Sequence, residues 1–297
     1  MLLETLKVFR DLVETSSFSR AAELNYITQS AVSQQLKNLE RTLGCTLVHR
    51  IHRDLRLTPA GLIFHNRSRK IVSDYEEMLQ QLKAVSPGGL GSLRIATVYS
   101  VGVYGLPAYV GRFMKRHPDV KIDIDYRKAE QIYRDVLAGR ADLGVVVYAA
   151  KRRGIEAIPL YREEMKLVCH PRHALCAQNR VSISHLEGQN FIAFYDAAPT
   201  RLVLDRLFKK HGVKICTKME LENIETIKGA VQAGTGVSVL PDAAVRNEVK
   251  MGKLCALRFS DARIFRPVCV LVRKRRKFNK AVRLFLEHIQ KGRIRTA

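Results

Sequence analysis

The apolar positions at the start of the chain, Leu2, Leu6, Phe9 and Val13, recur at steps of three and four and line one face of a helix. Ser17 and Ser19 are cap candidates for a short second helix, Arg20–Leu24, which Asn25 and Tyr26 break. Thr28 then caps a third helix running to about Leu43, with Gly44 as its stop. Val48–Arg56 is strand-capable on both sides of Arg53 and Asp54, which predicts a small basic hairpin, or wing. Thr58 followed by Pro59 starts a long helix reaching about Val85, and Ser86, Pro87, Gly88 and Gly89 end it at the best domain boundary in the chain. Beyond residue 91 the period changes. Strand-like segments at 93–100, 120–127, 143–148, 190–195, 213–219, 236–241 and 266–273 alternate with helical ones at 106–117, 132–139, 201–211, 223–233 and 279–291. That alternation predicts an α/β fold with largely parallel strands.

On a wheel, the third helix sets Val32, Leu36, Leu39 and Leu43 in one stripe and Ser30, Ser33, Gln34, Lys37 and Arg41 opposite it. The polar face is rich in amides and hydroxyls, groups that bond base edges and phosphates. Ala21 and Ala22 allow the preceding helix to cross closely. Helix, short turn, helix and basic wing form the geometry that lays a helix in a major groove. The wheel alone also describes an ordinary solvated helix. In the long helix, Phe64, Ser68, Ile71, Tyr75, Met78, Leu82 and Val85 alternate steps of four and three, a coiled-coil seam. A helix of about 40 Å, at about 1.5 Å per residue, is too long for a small three-helix domain to cover, so the seam calls for a second copy. Packing on the chain's own second half is the competing reading.

Charge changes the picture less than its size suggests. The 297 residues carry a net +23, which points to a polyanionic partner, yet only +3 of it lies in residues 1–88 and +20 beyond. No apolar run approaches membrane-spanning length, and the N-terminus does not read as a signal peptide. Six scattered cysteines without a CxxC spacing fit a reducing cytoplasm and free, mostly buried thiols.

The run SSFSRAAELNYITQSAVSQQLKNLERTLGCTLVHR followed by LTPAG resembles the N-terminal region of LysR-type transcriptional regulators, and the rest of the chain is similar to that family's effector-binding domain. The resemblance implies an N-terminal all-α winged helix-turn-helix over 1–58 and a linker and dimerisation helix over 59–88. It implies a C-terminal α/β effector domain over 91–297 whose two subdomains resemble type 2 periplasmic binding proteins. Subdomain I would take 91–162 and 267–297, subdomain II 163–266, with crossovers near 160–166 and 264–268. The implied DNA-contacting set is Thr28, Gln29, Ser30, Ser33, Gln34, Lys37, Arg50 and Arg53. The implied dimer set is Phe64, Ile71, Tyr75, Met78 and Leu82. Members of the family often have a proline and an arginine where this chain has Ser30 and Gln34, so no base preference carries over. The implied partners are double-stranded promoter DNA, a small-molecule effector, RNA polymerase and further copies of the chain as a dimer or tetramer. No membrane and no cofactor are expected.

In open α/β sheets, ligands lie beyond the carboxyl ends of strands. Strand 93–98 ends at Tyr99, Ser100 and Val101, and strand 190–195 leads to Pro199 and Thr200. Ser100 and Thr200 read as helix N-caps, each a hydroxyl beside free N–H groups, and together they suit an anion. The resemblance points to the same loops, to Val147 and Tyr148, and to the segment around Ile224. Other constellations are weak. His170 and His173 lack further ligands for a metal, so no metal site is expected, and Cys169 with Cys176 is not a redox motif by spacing. Gly234, Thr235 and Gly236 follow a helix instead of preceding one, and basic residues 274–277 read as a solvated end. No Ser/His/Asp set, metal cluster or nucleotide fingerprint supports catalysis. The competing functions are an enzyme or solute carrier with an accessory N-terminal part, and an architectural DNA-binding protein without a ligand.

Overall fold

The computed structural model describes residues 3–51, 54–85, 91–274 and 278–293. The chain divides into two units, Met1–Pro87 and Gly88–Ala297.

The first unit contains helices α1 (Leu3–Thr15), α2 (Phe18–Leu24) and α3 (Gln29–Leu43), strands β1 (Val48–Ile51) and β2 (Asp54–Leu57), and helix α4 (Pro59–Val85). Ser17 caps α2, and Thr28 caps α3 by accepting the Ala31 N–H at 3.2 Å. Gly44 ends α3 in the left-handed region at φ 65°, a conformation that glycine adopts without strain. Phe9, Leu12, Ala21, Ala22, Val32 and Leu36 form the centre of the core. Leu43, the last residue of the predicted stripe, is exposed instead, because the helix ends there and the chain turns away. Glu40, on the inner flank of α3, ties the wing to it: its carboxylate accepts the backbone N–H groups of Leu47 and Val48 at 2.7 and 3.2 Å. Thr58 accepts the Gly61 N–H at 2.9 Å ahead of Pro59, so the expected start of the long helix is realised.

The second unit opens with β3 (Ser92–Thr97), α5 (Tyr99–Tyr104), α6 (Leu106–Arg116), β4 (Lys121–Tyr126), α7 (Ala129–Ala138) and β5 (Leu143–Val147). Then come β6 (Ile155–Cys169), β7 (Arg180–Val181), β8 (Asn190–Phe194), α8 (Pro199–Lys210), β9 (Cys216–Leu221) and α9 (Ile224–Gln232). The chain closes with β10 (Ser238–Pro241), α10 (Asp242–Lys250), β11 (Cys255–Phe259), β12 (Phe265–Arg273) and α11 (Lys280–Arg293). One sheet runs β4-β3-β5-β12-β6-β11-β7, with β10 also on β6. Strand β3 is parallel to β4 and β5, whereas β12 is antiparallel to both β5 and β6, so the sheet is mixed rather than largely parallel. Strands β8 and β9 form a separate parallel pair.

The 15-residue β6 joins the halves of this unit. It pairs with β12 over Ile155–Glu164 and with β10 and β11 over Met165–Cys169. One core, with Leu93, Val145, Val268 and Phe285, lies on the first side of that change; others, with Leu167, Phe191 and Val239 or with Ile192, Ile227 and Leu240, lie on the second.

The cysteines depart from the expected free thiols. Cys176 and Cys255 form a disulfide with Cα atoms 6.0 Å apart, joining residues 79 positions distant, a pairing that spacing cannot reveal. Of the other four, only Cys169 and Cys269 are buried, and burial pushes the Cys169 thiol up to about 11. Among the described residues, no helix is long and apolar enough to cross a membrane, and no group of three metal-binding side chains gathers. His170 and His173 shape a turn by accepting the backbone N–H groups of Arg172 and Leu175.

Candidate functional site

Helix α3 presents two faces. Val32, Leu36 and Leu39 enter the core, while Gln29, Ser30, Gln34 and Lys37 are exposed and Ser33 is half-buried at the edge. The hydroxyls of Thr28 and Ser30 lie 2.9 Å apart, so the cap and the first exposed turn form one polar cluster. Gln34 donates to Asn38 at 3.3 Å, and Arg41 donates to the same oxygen. Asn38 was not among the expected contacts, although its i+4 spacing from Gln34 puts it on the same face. Arg53 and the side chain of Arg50 lie outside the described residues.

The expected seam of α4 splits in two. Phe64 packs edge-on against Phe9, with ring centroids 5.2 Å apart, and Ser68 is buried, so this end serves the chain's own core. Helix α1 covers the first part of α4, more of it than its length implied. Val72 is buried with it, whereas Ile71, Tyr75, Met78 and Leu82 are exposed as an apolar strip. Val85's side chain lies outside the described set.

In the second unit a cavity of about 320 Å³ opens between the two halves. Of the expected residues, Tyr99, Ser100, Val147, Pro199, Thr200 and Ile224 line it. Val101 does not: it is fully buried in the first core, because α5 turns it inward. Tyr148 does not either. It takes φ 48°, packs on that core and donates to the Phe265 carbonyl at 3.4 Å, and burial pushes its hydroxyl up to about 12.

The capping roles also change. Val98 and Ala198 occupy the N-cap positions of α5 and α8, without a side-chain cap bond. Ser100 and Thr200 sit at the second helical position, because both helices begin two residues earlier than a hydroxyl cap there requires. Thr200 is buried in the first turn of α8, where Pro199 contributes no N–H.

Arg266 dominates the cavity's electrostatics. Its guanidinium donates to Glu163 at 2.6 Å and to the Ser100 hydroxyl at 3.3 Å, and both charged side chains are almost wholly buried. The rim adds Arg127 and Lys128, with Glu222 as the carboxylate in the lining. Lys128, on the first half, pairs with Glu222, on the second, at 2.6 Å and lies 5.4 Å from the Tyr195 ring centroid. The hydrogen bond to Glu222 raises the Lys128 pKa above its ordinary value. Tyr99, Tyr126, Phe194 and Tyr195 give the walls aromatic surface, Tyr99 and Tyr126 at 5.4 Å. Behind the cavity, buried Lys228 also crosses the halves, donating to the Tyr104 hydroxyl at 2.8 Å and to Glu248 at 2.7 Å. Sequence reading missed Arg266, Lys128 and the aromatic walls other than Tyr99. An arginine opening the apolar run RPVCVLVR, and two adjacent glutamates inside LYREEMKLVC, were the available signals for the buried pair.

Two family models cover nearly the whole chain. Residues 3–62 match the bacterial regulatory helix-turn-helix protein, lysR family, and residues 87–293 match the LysR substrate binding domain. A probable RuBisCO transcriptional regulator of Cyanidioschyzon merolae is 27% identical over 293 residues, 97% of each chain. Full-length CbnR complexed with its target DNA has a TM-score of 0.72 at 21% identity, covering 98% of this chain and 99% of that one. The effector binding domain of QuiR in complex with shikimate has a TM-score of 0.64 at 19% identity, covering 69% of this chain and 98% of that one. With an exposed polar helix face in the first unit and a lined cleft in the second, the chain belongs to the LysR family, whose members are ligand-responsive DNA-binding transcriptional regulators and not enzymes.

Proposed function

We propose that this regulator reads promoter DNA with the exposed face of α3 from two paired copies and is switched by a small anion entering the cleft. The observation that carries the ligand reading is the cleft's charge. Arg127, Lys128 and Arg266 line it against one lining carboxylate, Glu222, which Lys128 already neutralises. The buried Glu163 offsets Arg266, and Asp125 and Asp135 stand 3.7 and 3.9 Å from Arg127, but none of these three carboxylates lines the cavity, so the cations and the free N–H groups at the start of α8 are what a ligand meets. The aromatic walls favour an effector with an apolar body. Shikimate, bound by the QuiR domain, is a carboxylate and supports this class.

The exposed polar face of α3 and the exposed strip Ile71, Tyr75, Met78 and Leu82 support the DNA and dimer readings. Two dimers would form the tetramer, contact with RNA polymerase would carry the output, and the cytoplasm is where the chain would meet its promoter. Calorimetry of the full chain with aliphatic and aromatic carboxylates tests the ligand class. Binding of carboxylates that weakens in Thr200→Val is the expected result, and tight binding of neutral or cationic ligands alone would refute it. For the reading face, Gln34→Ala should cost about 1–3 kcal/mol on the cognate site and little on random DNA.

A further inference from the structure

A second cavity, of about 220 Å³, lies away from the cleft at the edge where β6, β11 and β7 adjoin. Its charged lining is Arg180, Arg258, Arg263 and Glu164. The ladder fixes two of these arginines side by side, because β7 runs parallel to β11 with Arg180 opposite Arg258. Residues paired in register project from the same face of a sheet. The next pair, Val181 and Phe259, is buried in the core, with Phe259 also bordering the cavity. The strands therefore cannot turn the arginines away without pulling Val181 and Phe259 out of that core. Like charges directly opposite each other on neighbouring strands are destabilising. One carboxylate offsets them: Glu164 meets Arg258 at 3.2 Å. Among the described residues, neither Arg180 nor Arg263 forms an ion pair with a carboxylate. Met165, Ile264 and Phe265 add apolar lining, and Phe265 is a large side chain left 43% exposed.

We infer that this cavity is a second ligand site, for a small phosphate monoester with an apolar body. Two guanidinium groups without a carboxylate match a dianion, and a phosphate monoester approaches that charge at neutral pH. Three planar forks also offer more donors than the two oxygens of a carboxylate accept, whereas phosphate presents three oxygens. Phe265 supplies the surface for the apolar body. The site is one rung from the cleft. In the β6–β12 ladder Glu164 pairs with Phe265, and the neighbouring rung is Glu163 with Arg266. Successive strand residues point to opposite faces, so the two sites lie on opposite faces of the same crossover strands.

Titration calorimetry of the full chain with phenyl phosphate tests this, at about 0.15 M salt, where the Debye length of about 8 Å suppresses general charge attraction. The double variant Arg180→Gln, Arg263→Gln should bind about tenfold or more weakly, because it loses charge-assisted bonds to the phosphate. Both positions are exposed, and removing Arg180 relieves its repulsion with Arg258, so the unliganded melting temperature should be no lower than the wild type's. Lys250→Gln, at an exposed lysine on α10, should bind as the wild type does. The cleft variant Lys128→Met, Thr200→Val should keep this binding. Wild-type protein without measurable binding, an unchanged affinity in the arginine variant, or an equal loss in Lys250→Gln overturns the site. So does loss of all binding in the cleft variant. Binding that only the arginine variant abolishes supports this site, even where carboxylate calorimetry rejects the anion reading of the cleft.

Discussion

Arg266 and Glu163 face each other on adjacent crossover strands, β12 and β6, with both side chains almost entirely withdrawn from water and the arginine still in reach of the cleft. Removing one partner strands the other as a buried charge. Glu163→Ala should therefore destabilise the second unit by about 3–5 kcal/mol, while Glu163→Leu with Arg266→Met should be close to neutral. Urea denaturation of both variants checks the contrast. The neutral pair should also lose carboxylate binding in calorimetry, because the cleft loses its buried guanidinium.

Lys128 and Glu222 form the opposite kind of pair, at 65% and 67% side-chain exposure. Solvent screens it, so Lys128→Met should leave stability essentially unchanged. Its effect should appear in ligand binding. Lys128→Met should weaken carboxylate binding, and Glu222→Gln should strengthen it by freeing the lysine. Opposite shifts in affinity at unchanged melting temperature are the expected result.

Neighbouring residues on α4 should respond differently to charge. Ile71 is exposed on the apolar strip and Val72 is buried in the first unit's core. Ile71→Asp should leave the helices folded by circular dichroism and lower the sedimenting mass. Val72→Asp should unfold the first unit instead, since it buries an unpaired carboxylate. An unchanged mass for Ile71→Asp would remove this strip as the main contact between copies.

Three carboxylates predict loss of stability in acid. Burial alone would raise Asp242, Glu248 and Asp261, but their partners outweigh it and hold all three below their ordinary values. Lys166 and Arg246 act on Asp242, Lys228 on Glu248, and the Ser182 hydroxyl with the Ile183 N–H on Asp261. A lowered native pKa means that the unfolded chain takes up protons first as pH falls. The stabilisation is complete above the ordinary values of 3.8 and 4.5 and is lost as pH drops through the lowered native ones. Melting temperature should fall steeply below about pH 4, and Asp261→Asn should flatten that fall.

Local signals carried the first unit. Thr28, Gly44 and the Thr58 and Pro59 pair mark helix ends through bonds made within three or four residues, so the chain itself displays them. The wheel of α3 was equally legible because its core contacts repeat with the helical period. Strand β6 was not, because Arg162, Glu163, Glu164 and Lys166 interrupt its apolar positions and its partner strand lies about a hundred residues away. The Glu163 to Arg266 bond, 103 residues apart, is invisible for the same reason. In the cleft, the strand-end rule located the loops but shifted the caps onto Ser100 and Thr200. It also missed Lys128, whose role depends on Glu222 being carried in from the other half.

The chain crosses between the halves of its second unit on hydrogen-bonded strands. In the β6–β12 ladder the register holds except beside Leu160, where one extra residue intrudes between Pro159 and Tyr161. A loop hinge would melt and reorder with each change of cleft width. A ladder keeps its amide protons locked while it flexes, and such a bulge concentrates bending and twist in one place. Opening and closing should then spend little backbone entropy, so the ligand's contact energy is left to set its affinity rather than to organise the domain. Amide exchange along β6 should stay slow with and without ligand, with any quickening confined to the neighbourhood of Leu160.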